Sequence, residues 1–303
     1  MNAAEVDLDR LVRSATARLG RAGVPSPRTD AELLTAHVLG LTRGELTAAL
    51  LRGAVLDDVT RRRWADLIEQ RAGRVPLQHL TGRAGFRRLD LAVGPGVFVP
   101  RPETEVLVEA AVAELGAGVI RAEPSPLVVD LCTGSAAIAL AVADEDPRVE
   151  VVALELDPAA LRWAERNVAA LPAGERIRLV QGSVVGAARG EGVLADLAGR
   201  VHLVVANPPY IPAAAVPVDP EVADHDPRLA LYGGGADGLD LPAAVIETAA
   251  ALLRPGGLLL MEHADVQGPA TRALVAVGWE EVRTLTDLSG RERVLRARRG
   301  GAG

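Results

Sequence analysis

The chain changes texture near residue 76. Before that point, apolar residues recur every three or four positions, the spacing of amphipathic helices. Leu8, Leu11, Val12, Ala15 and Leu19 form one stripe, which Gly23-Val24-Pro25 ends. Further helices are predicted over 30–39, closed by Gly40, over 42–51, followed by Gly53, and over 57–72. In the last of these, Trp64, Leu67 and Ile68 are expected to face a core, and Arg61-Arg62-Arg63 reads as a solvated helix face. Residues 5 to 75 contain no catalytic grouping, so a helical module that recognises a partner is the expectation.

Residues 82–100 alternate glycines with two short β-like runs, 86–93 and 97–99, and read as a hairpin connector. A helix then runs to Leu115, with Glu103 or Thr104 placed to cap it and Arg101 spaced for a local ion pair with Glu103. From Leu127 onward, short unbroken apolar runs alternate with helical patterns. That is the mark of a parallel sheet covered on both faces. Strands are predicted at 127–131, 150–154, 177–180, 201–206, 258–261, 280–285 and 293–298. Helices are predicted at 137–143, 158–169, 239–253 (stopped by Pro255-Gly256-Gly257) and 266–277; the tail after Arg298 reads as disordered.

Composition narrows the chemistry. Hydrophobic residues make up 49% of 303 positions, enough for a sizeable core and two domains. All 33 basic residues are arginine, which excludes a catalytic lysine or Schiff base. A net charge of −7 argues against broad binding to duplex nucleic acid, which relies on a cationic surface. The single Cys132 excludes an internal disulfide and a thiolate zinc cluster, and the five histidines show no metal-ligand spacing. Residues 1–10 are acidic without the apolar core of a signal peptide, and no apolar run reaches the length of a membrane span. A cytoplasmic location is the expectation.

Two stretches carry candidate chemistry. Cys132, Thr133, Gly134, Ser135 and Ala136 form a loop of small residues after the first strand, where a ligand can approach backbone and helix N–H groups. Glu155, at the end of the second strand, is placed to bind two ribose hydroxyls. A dinucleotide and S-adenosylmethionine both fit that spacing, but only one glycine of the dinucleotide fingerprint is present, which makes hydride transfer the weaker reading. The second stretch is Asn207-Pro208-Pro209-Tyr210, directly after the strand 201–206. An amide side chain, adjacent backbone carbonyls and a flat ring suit a planar NH2 group. Such a set can orient a poorly nucleophilic nitrogen for attack on a methyl sulfonium and stabilise the growing charge. A plain strand-ending turn accounts for these four residues equally well.

Several motifs together resemble the bacterial peptide chain release factor glutamine methyltransferases. They are Asp30-Ala31-Glu32-Leu33-Leu34, Pro76-Leu77-Gln78-His79-Leu80-Thr81-Gly82, Phe98-Val99-Pro100-Arg101-Pro102-Glu103-Thr104-Glu105 and Asp130-Leu131-Cys132-Thr133-Gly134-Ser135. Asn207-Pro208-Pro209-Tyr210-Ile211-Pro212, Asp226-Pro227-Arg228-Leu229-Ala230-Leu231, the glycine-rich 233–240 and Glu262-His263 complete the set. The resemblance implies an α/β fold. A small all-helical domain (1–80) and a β-hairpin linker (81–100) would precede a Rossmann-like, seven-strand class I methyltransferase domain (101–303).

It also implies methyl transfer from S-adenosyl-L-methionine to the glutamine side-chain amide in the Gly-Gly-Gln motif of class 1 release factors. Asn207 and the Pro208 carbonyl would hold that amide, with Pro209 and Tyr210 as its slot. Cys132–Ala136, Glu155, Ser183, Val184 and Asn207 would line the cofactor, and the helical domain would help grip the release factor. The alternatives are another amide or amine substrate, such as a ribosomal protein glutamine or a nucleobase, and a binding homologue with an impaired cofactor site. The family usually carries glycine where Cys132 and Ala136 stand, and an acid and an aromatic where Ser183 and Val184 stand. The Ala136 methyl group is expected where the cofactor approaches the backbone.

Overall fold

The computed structural model describes residues 7–117, 120–188, 192–275 and 277–301. It divides into two compact units, one of Met1–Arg83 with Pro217–His225, the other of Ala84–Val216 with Asp226–Gly303. In chain order the helices are α1 (Leu8–Arg21), α2 (Pro27–Leu39), α3 (Arg43–Leu51), α4 (Asp58–Ala72), α5 (Leu77–Thr81), α6 (Glu105–Leu115) and α7 (Ala137–Glu145). After these come α8 (Pro158–Ala170), α9 (Val184–Ala188), α10 (Pro220–His225), α11 (Arg228–Leu231), α12 (Asp240–Leu252) and α13 (Gly268–Ala273). The strands are β1 (Arg83–Phe86), β2 (Leu89–Ala92), β3 (Leu127–Leu131), β4 (Glu150–Glu155), β5 (Ile177–Gln181), β6 (Val201–Ala206), β7 (Leu253–Glu262), β8 (Trp279–Thr286) and β9 (Glu292–Arg299). Among the described residues, no helix is long and apolar enough to cross a membrane.

The helical unit is set by local signals and one buried charge network. Thr42 and Glu45 close a capping box on α3, and Asp57 accepts from the N–H groups of Val59 and Thr60 at 2.9 Å to start α4. Val12, Leu19, Leu34, Trp64 and Ile68 form the core, with the Trp64 indole donating to the Thr35 hydroxyl at 2.9 Å. The helix α2 begins at Pro27, three residues before the expected Asp30, because proline fits the first turn, where its missing N–H does no harm. Asp30 is therefore inside the helix and buried, and Arg71 donates to it at 2.7 Å. Arg71 also donates to the Val75 carbonyl at 3.1 Å and to Glu221 of α10 at 2.8 Å. Burial alone would raise the Glu221 pKa, but Arg74 and Arg71 outweigh it and hold the carboxyl down at about 2.

The second unit is built on seven strands in the order β5-β4-β3-β6-β7-β9-β8. The first five are parallel; β9 runs antiparallel to both β7 and β8. Both faces are covered, which is why the strands read as unbroken apolar runs. On β6, Leu203 and Val205 enter a core with Leu107, Leu140 and Leu260, while Val204 and Ala206 enter another with Leu131, Val245 and Met261. The hairpin β1–β2 turns at Arg87, with φ 54°. The Arg87 N–H donates to Glu105 at 3.0 Å and its guanidinium grips Glu145 through two bonds of 2.7 Å.

Several expectations are corrected. The run 86–93 holds the hairpin turn and second strand, whereas 97–99 is not a strand. Val97 and Val99 are apolar because they pack against Ala84, Val93 and Ala160, and Gly96 and Pro100 bracket them. Thr104 does not cap α6; its backbone is already helical. Arg101 pairs at 2.8 Å with Asp226, not with Glu103, and its guanidinium lies 5.1 Å from the Phe98 ring centre. Helix α12 stops at Leu252, and Pro255-Gly256-Gly257 is a bulge within β7, with Gly256 at φ 78°. Helix α13 covers only Gly268–Ala273, since Pro269 sets its start and β-branched residues beyond it disfavour its continuation. Five-residue α5 was too short for a periodic signal. Residues 1–6, including the first six of the acidic start, and 302–303 of the expected disordered tail lie outside the described residues.

After β6 the chain turns against a glycine-rich stretch. Ile211 and Tyr232 form a parallel bridge, and the Gly233 N–H donates to the Ile211 carbonyl at 3.1 Å. A Cβ on Gly233 would lie 2.7 Å from the Pro209 carbonyl, and one on Gly238, at φ 80°, would lie 2.2 Å from the Tyr210 carbonyl. Glycine is required here because backbone packs on backbone.

Two stability predictions follow from this packing. Arg71→Met leaves the buried Asp30 carboxyl unpaired and should lower the unfolding free energy by about 3–5 kcal/mol in urea titration. Gly238→Ala should lower it by about 1–3 kcal/mol from overpacking, with a further ~1–2 kcal/mol from the left-handed backbone; an unchanged midpoint for either variant would contradict the packing described.

Candidate active site

The strand order reverses direction between β3 and β6, so the loops after these two strands leave the same edge of the sheet side by side. Leu131 pairs with Ala206, which makes Cys132 and Asn207 the first residues beyond that pair. In open α/β sheets this is where ligands bind.

The loop on β3 is held from below by Asp130. Its Oδ2 accepts from the Thr133 hydroxyl at 2.6 Å and from the Ala139 N–H at 3.2 Å, tying the loop to the first turn of α7. Burial pushes the Asp130 pKa up to about 7, with the Thr133 and Ala139 bonds opposing. Asp130 Oδ1 is buried and has no hydrogen-bond partner. Cys132 and Ala136 both take left-handed backbone, with φ 63° and 64°. A non-glycine residue there costs about 1–2 kcal/mol. The Ala136 methyl group is fully buried and belongs to the core, so it does not obstruct the open side of the loop, contrary to expectation. On that side, a Cβ at Gly134 would meet nothing within 4 Å. Burial raises the Cys132 thiol pKa, so the thiol stays protonated at neutral pH.

Glu155 ends β4. Its Oε2 accepts from the Gly134 N–H and its Oε1 from the Asp157 N–H, both at 2.8 Å. Burial raises its pKa, against these backbone donors. One strand over, the Gly182 N–H donates to the Glu155 carbonyl at 2.9 Å, and Ser183 follows. The Ser183 hydroxyl accepts from the Val185 N–H at 3.2 Å, at the start of α9. Val184 is buried in the core, and its carbonyl accepts from Thr248 at 3.0 Å. Cys132 through Ala136, Glu155 and Ser183 thus follow or end three adjacent strands, while the Val184 side chain points into the core.

Asn207 is half-buried and Pro208 and Pro209 are buried. The Asn207 Nδ2 donates to the Thr104 hydroxyl at 3.3 Å, and the Tyr210 hydroxyl donates to Glu262 Oε1 at 3.3 Å. Burial pushes the Glu262 pKa up to about 7, with Thr104, Arg293 and Tyr210 drawing it back. Burial, and then the Glu262 charge, raises the Tyr210 pKa, so its phenol is neutral. Gln267 fixes the backbone: its Nε2 donates to the carbonyls of Tyr210 and Asp237, each at 2.9 Å. The buried Asn167 works likewise on the other loop, donating to the carbonyls of Ala92 and Ser135 at 3.0 Å.

Sequence reasoning missed the roles of Thr104, Asp130, Asn167 and Gln267. Asp130 had a signal, an acid within an otherwise apolar strand. Gln267 and Asn167 had none, since the carbonyls to which their side chains donate lie between 30 and 75 positions away.

Two family models match the chain: "PrmC N-terminal domain" over residues 10–82 and "Methyltransferase small domain" over residues 104–220. The release factor glutamine methyltransferase of Streptomyces coelicolor is 48% identical over 291 residues, spanning 95% of this chain and 96% of its own. That of Deinococcus radiodurans is 46% identical over 301 residues, spanning 98% and 100%. Among solved structures, the release factor-specific protein-(glutamine-N5) methyltransferase of Alicyclobacillus acidocaldarius is 28% identical, with a TM-score of 0.39 over 69% of this chain and 99% of its own. With identity at this level along nearly its whole length, the chain belongs to the release factor glutamine methyltransferase family.

Proposed function

We propose that this protein methylates the side-chain amide nitrogen of the glutamine in the Gly-Gly-Gln loop of class 1 peptide chain release factors, with S-adenosylmethionine as donor, in the cytoplasm. The observation that carries this reading is the placement of Asn207-Pro208-Pro209-Tyr210 at the end of β6, beside the open-sided loop on β3. The relatives named above support the substrate class.

The residues on the β3 side fit the donor. The space at Gly134 admits a ligand to the backbone, and the Glu155 carboxylate keeps lone pairs for ribose hydroxyls beyond the two bonds it makes. The buried, unpaired Asp130 Oδ1 adds negative potential under the same loop, which favours a cationic ligand. When bound, S-adenosylmethionine supplies an electrophilic methyl group on a positively charged sulfur.

The protein's own part is positioning. Committing the Asn207 NH2 to Thr104 turns its Oδ1 the other way, as an acceptor for one N–H of a substrate amide. The Pro208 carbonyl is the second acceptor, and Pro209 and the neutral Tyr210 ring are the walls that keep the amide flat. An amide nitrogen is a weak nucleophile because its lone pair is delocalised. Two acceptors on its hydrogens raise its electron density and stabilise the positive charge formed as the new C–N bond closes. No strong base is needed before attack.

Incubating purified release factor with the protein and labelled S-adenosylmethionine should transfer one methyl group to that glutamine. Asn207→Ala should slow transfer about 10²-fold or more while leaving the melting temperature near that of the parent. Full activity in Asn207→Ala would refute the assigned role. Absence of any thermal shift with S-adenosylmethionine would refute the cofactor and favour a binding homologue.

A further inference from the structure

We propose that two buried carboxamides, Asn167 and Gln267, are positioning residues that set the two halves of this site separately: Asn167 shapes the donor loop after β3, and Gln267 the acceptor segment after β6. The inference rests on the reading that these segments hold S-adenosylmethionine and the substrate glutamine.

Both ends of each amide are engaged, and always with backbone. Asn167, on α8, accepts from the Ala92 N–H at 2.7 Å through Oδ1 and donates through Nδ2 to the carbonyls of Ala92 and Ser135, both at 3.0 Å. Gln267, just before α13, accepts from the Ala264 N–H at 3.1 Å through Oε1 and donates through Nε2 to the carbonyls of Tyr210 and Asp237, both at 2.9 Å. A carbonyl can only accept and a backbone N–H can only donate, so neither amide can turn over. Each is anchored to one neighbour, at Ala92 or Ala264, and reaches from it into one loop. Both residues are buried, so water does not compete for these bonds.

What each grips is a peptide unit already held at its other end. The Ser135 carbonyl goes to Asn167, and the N–H of the same unit, on Ala136, donates to the Thr133 carbonyl at 2.9 Å. The Tyr210 carbonyl goes to Gln267, and the N–H of its unit, on Ile211, donates to the Leu231 carbonyl at 2.8 Å. A peptide unit is planar, so fixing both ends fixes its tilt. The first unit fixes the entry to the left-handed Ala136, and with it the turn that carries Gly134. The second lies just past the two prolines and sets where the Tyr210 ring leaves the chain. The two carboxamides have no bonding partner in common. A disturbance at one therefore reaches one loop and not the other.

The test is a double dissociation with Asn167→Leu and Gln267→Met, which keep approximate size and remove the amide. Binding of S-adenosylmethionine alone is measured by calorimetry, and methyl transfer to purified release factor at saturating donor gives kcat. Asn167→Leu should weaken donor binding about tenfold or more and keep kcat within about twofold of the parent. Gln267→Met should do the reverse: donor affinity within about twofold, kcat lower by about tenfold or more. Two variants that lose both quantities alike, or that lose neither, would overturn the proposal, since general loosening of the fold gives no such split. If either variant does not fold, the alanine variant at that position, which leaves room for water to reach the backbone, is read in the same way. A position where neither variant folds is a requirement of the fold, and the proposal fails there. A parent that binds no S-adenosylmethionine refutes the functional reading and this inference together. A parent that binds it without methylating release factor refutes the assigned substrate, and the Asn167 half is still decided by calorimetry. A parent active in both assays, with no split between the variants, refutes this inference alone.

Discussion

Two prolines in succession remove two backbone donors from the chain as it leaves β6, and the site depends on how that loss is made good. A segment without donors cannot extend the ladder, so it must be held by its carbonyls and by contact. Gln267 donates to the Tyr210 carbonyl, and the glycine-rich turn brings backbone within contact distance of the Pro209 and Tyr210 carbonyls. Ile211 resumes pairing one residue later. On the proposed reading, the Pro208 carbonyl is left for a substrate amide. Rigidity in this stretch comes from its surroundings, and the glycines, unremarkable one by one, are what let those surroundings come close.

The same edge of the sheet collects buried acids. Asp130, Glu155 and Glu262 each have a pKa raised above the ordinary carboxylate value, with burial as the largest cause. A carboxyl whose folded pKa exceeds its unfolded value stabilises the fold most when protonated. That contribution is complete below the unfolded pKa of about 4 and is lost as pH rises through about 7 for Asp130 and Glu262. At neutral pH the protein therefore carries strain that a cation at this edge would relieve. The left-handed Cys132 and Ala136 add backbone strain to the same place. Strain of this kind is tolerated where the rest of the fold over-determines the geometry, and here two packed cores do so.

The alternation of apolar runs and helical stripes made the parallel sheet and the loops that follow β3 and β6 readable before any coordinates, because burial on both faces writes itself into composition. Asn207 and Gly134 were readable for the same reason: each follows a strand that could be recognised. What the chain did not reveal was the second layer. Thr104 looks like a helix cap in sequence and instead meets Asn207, 103 positions later. Arg101 seemed placed for Glu103 and instead reaches Asp226. Val97 and Val99 imitated a strand because burial, not pairing, selected them. Local rules find elements; they do not find hydrogen bonds across a hundred residues, and those bonds are what orient this site.

The helical unit also contains a piece made much later. Glu221, which Arg71 and Arg74 hold, lies about 150 positions downstream of them. During synthesis the amino-terminal helices emerge first, yet their charge network stays open until that carboxylate has left the ribosome, by which time most of the parallel sheet has been translated. The first unit to be started is thus completed only after much of the second has been translated, and no single cut in the gene would release it intact.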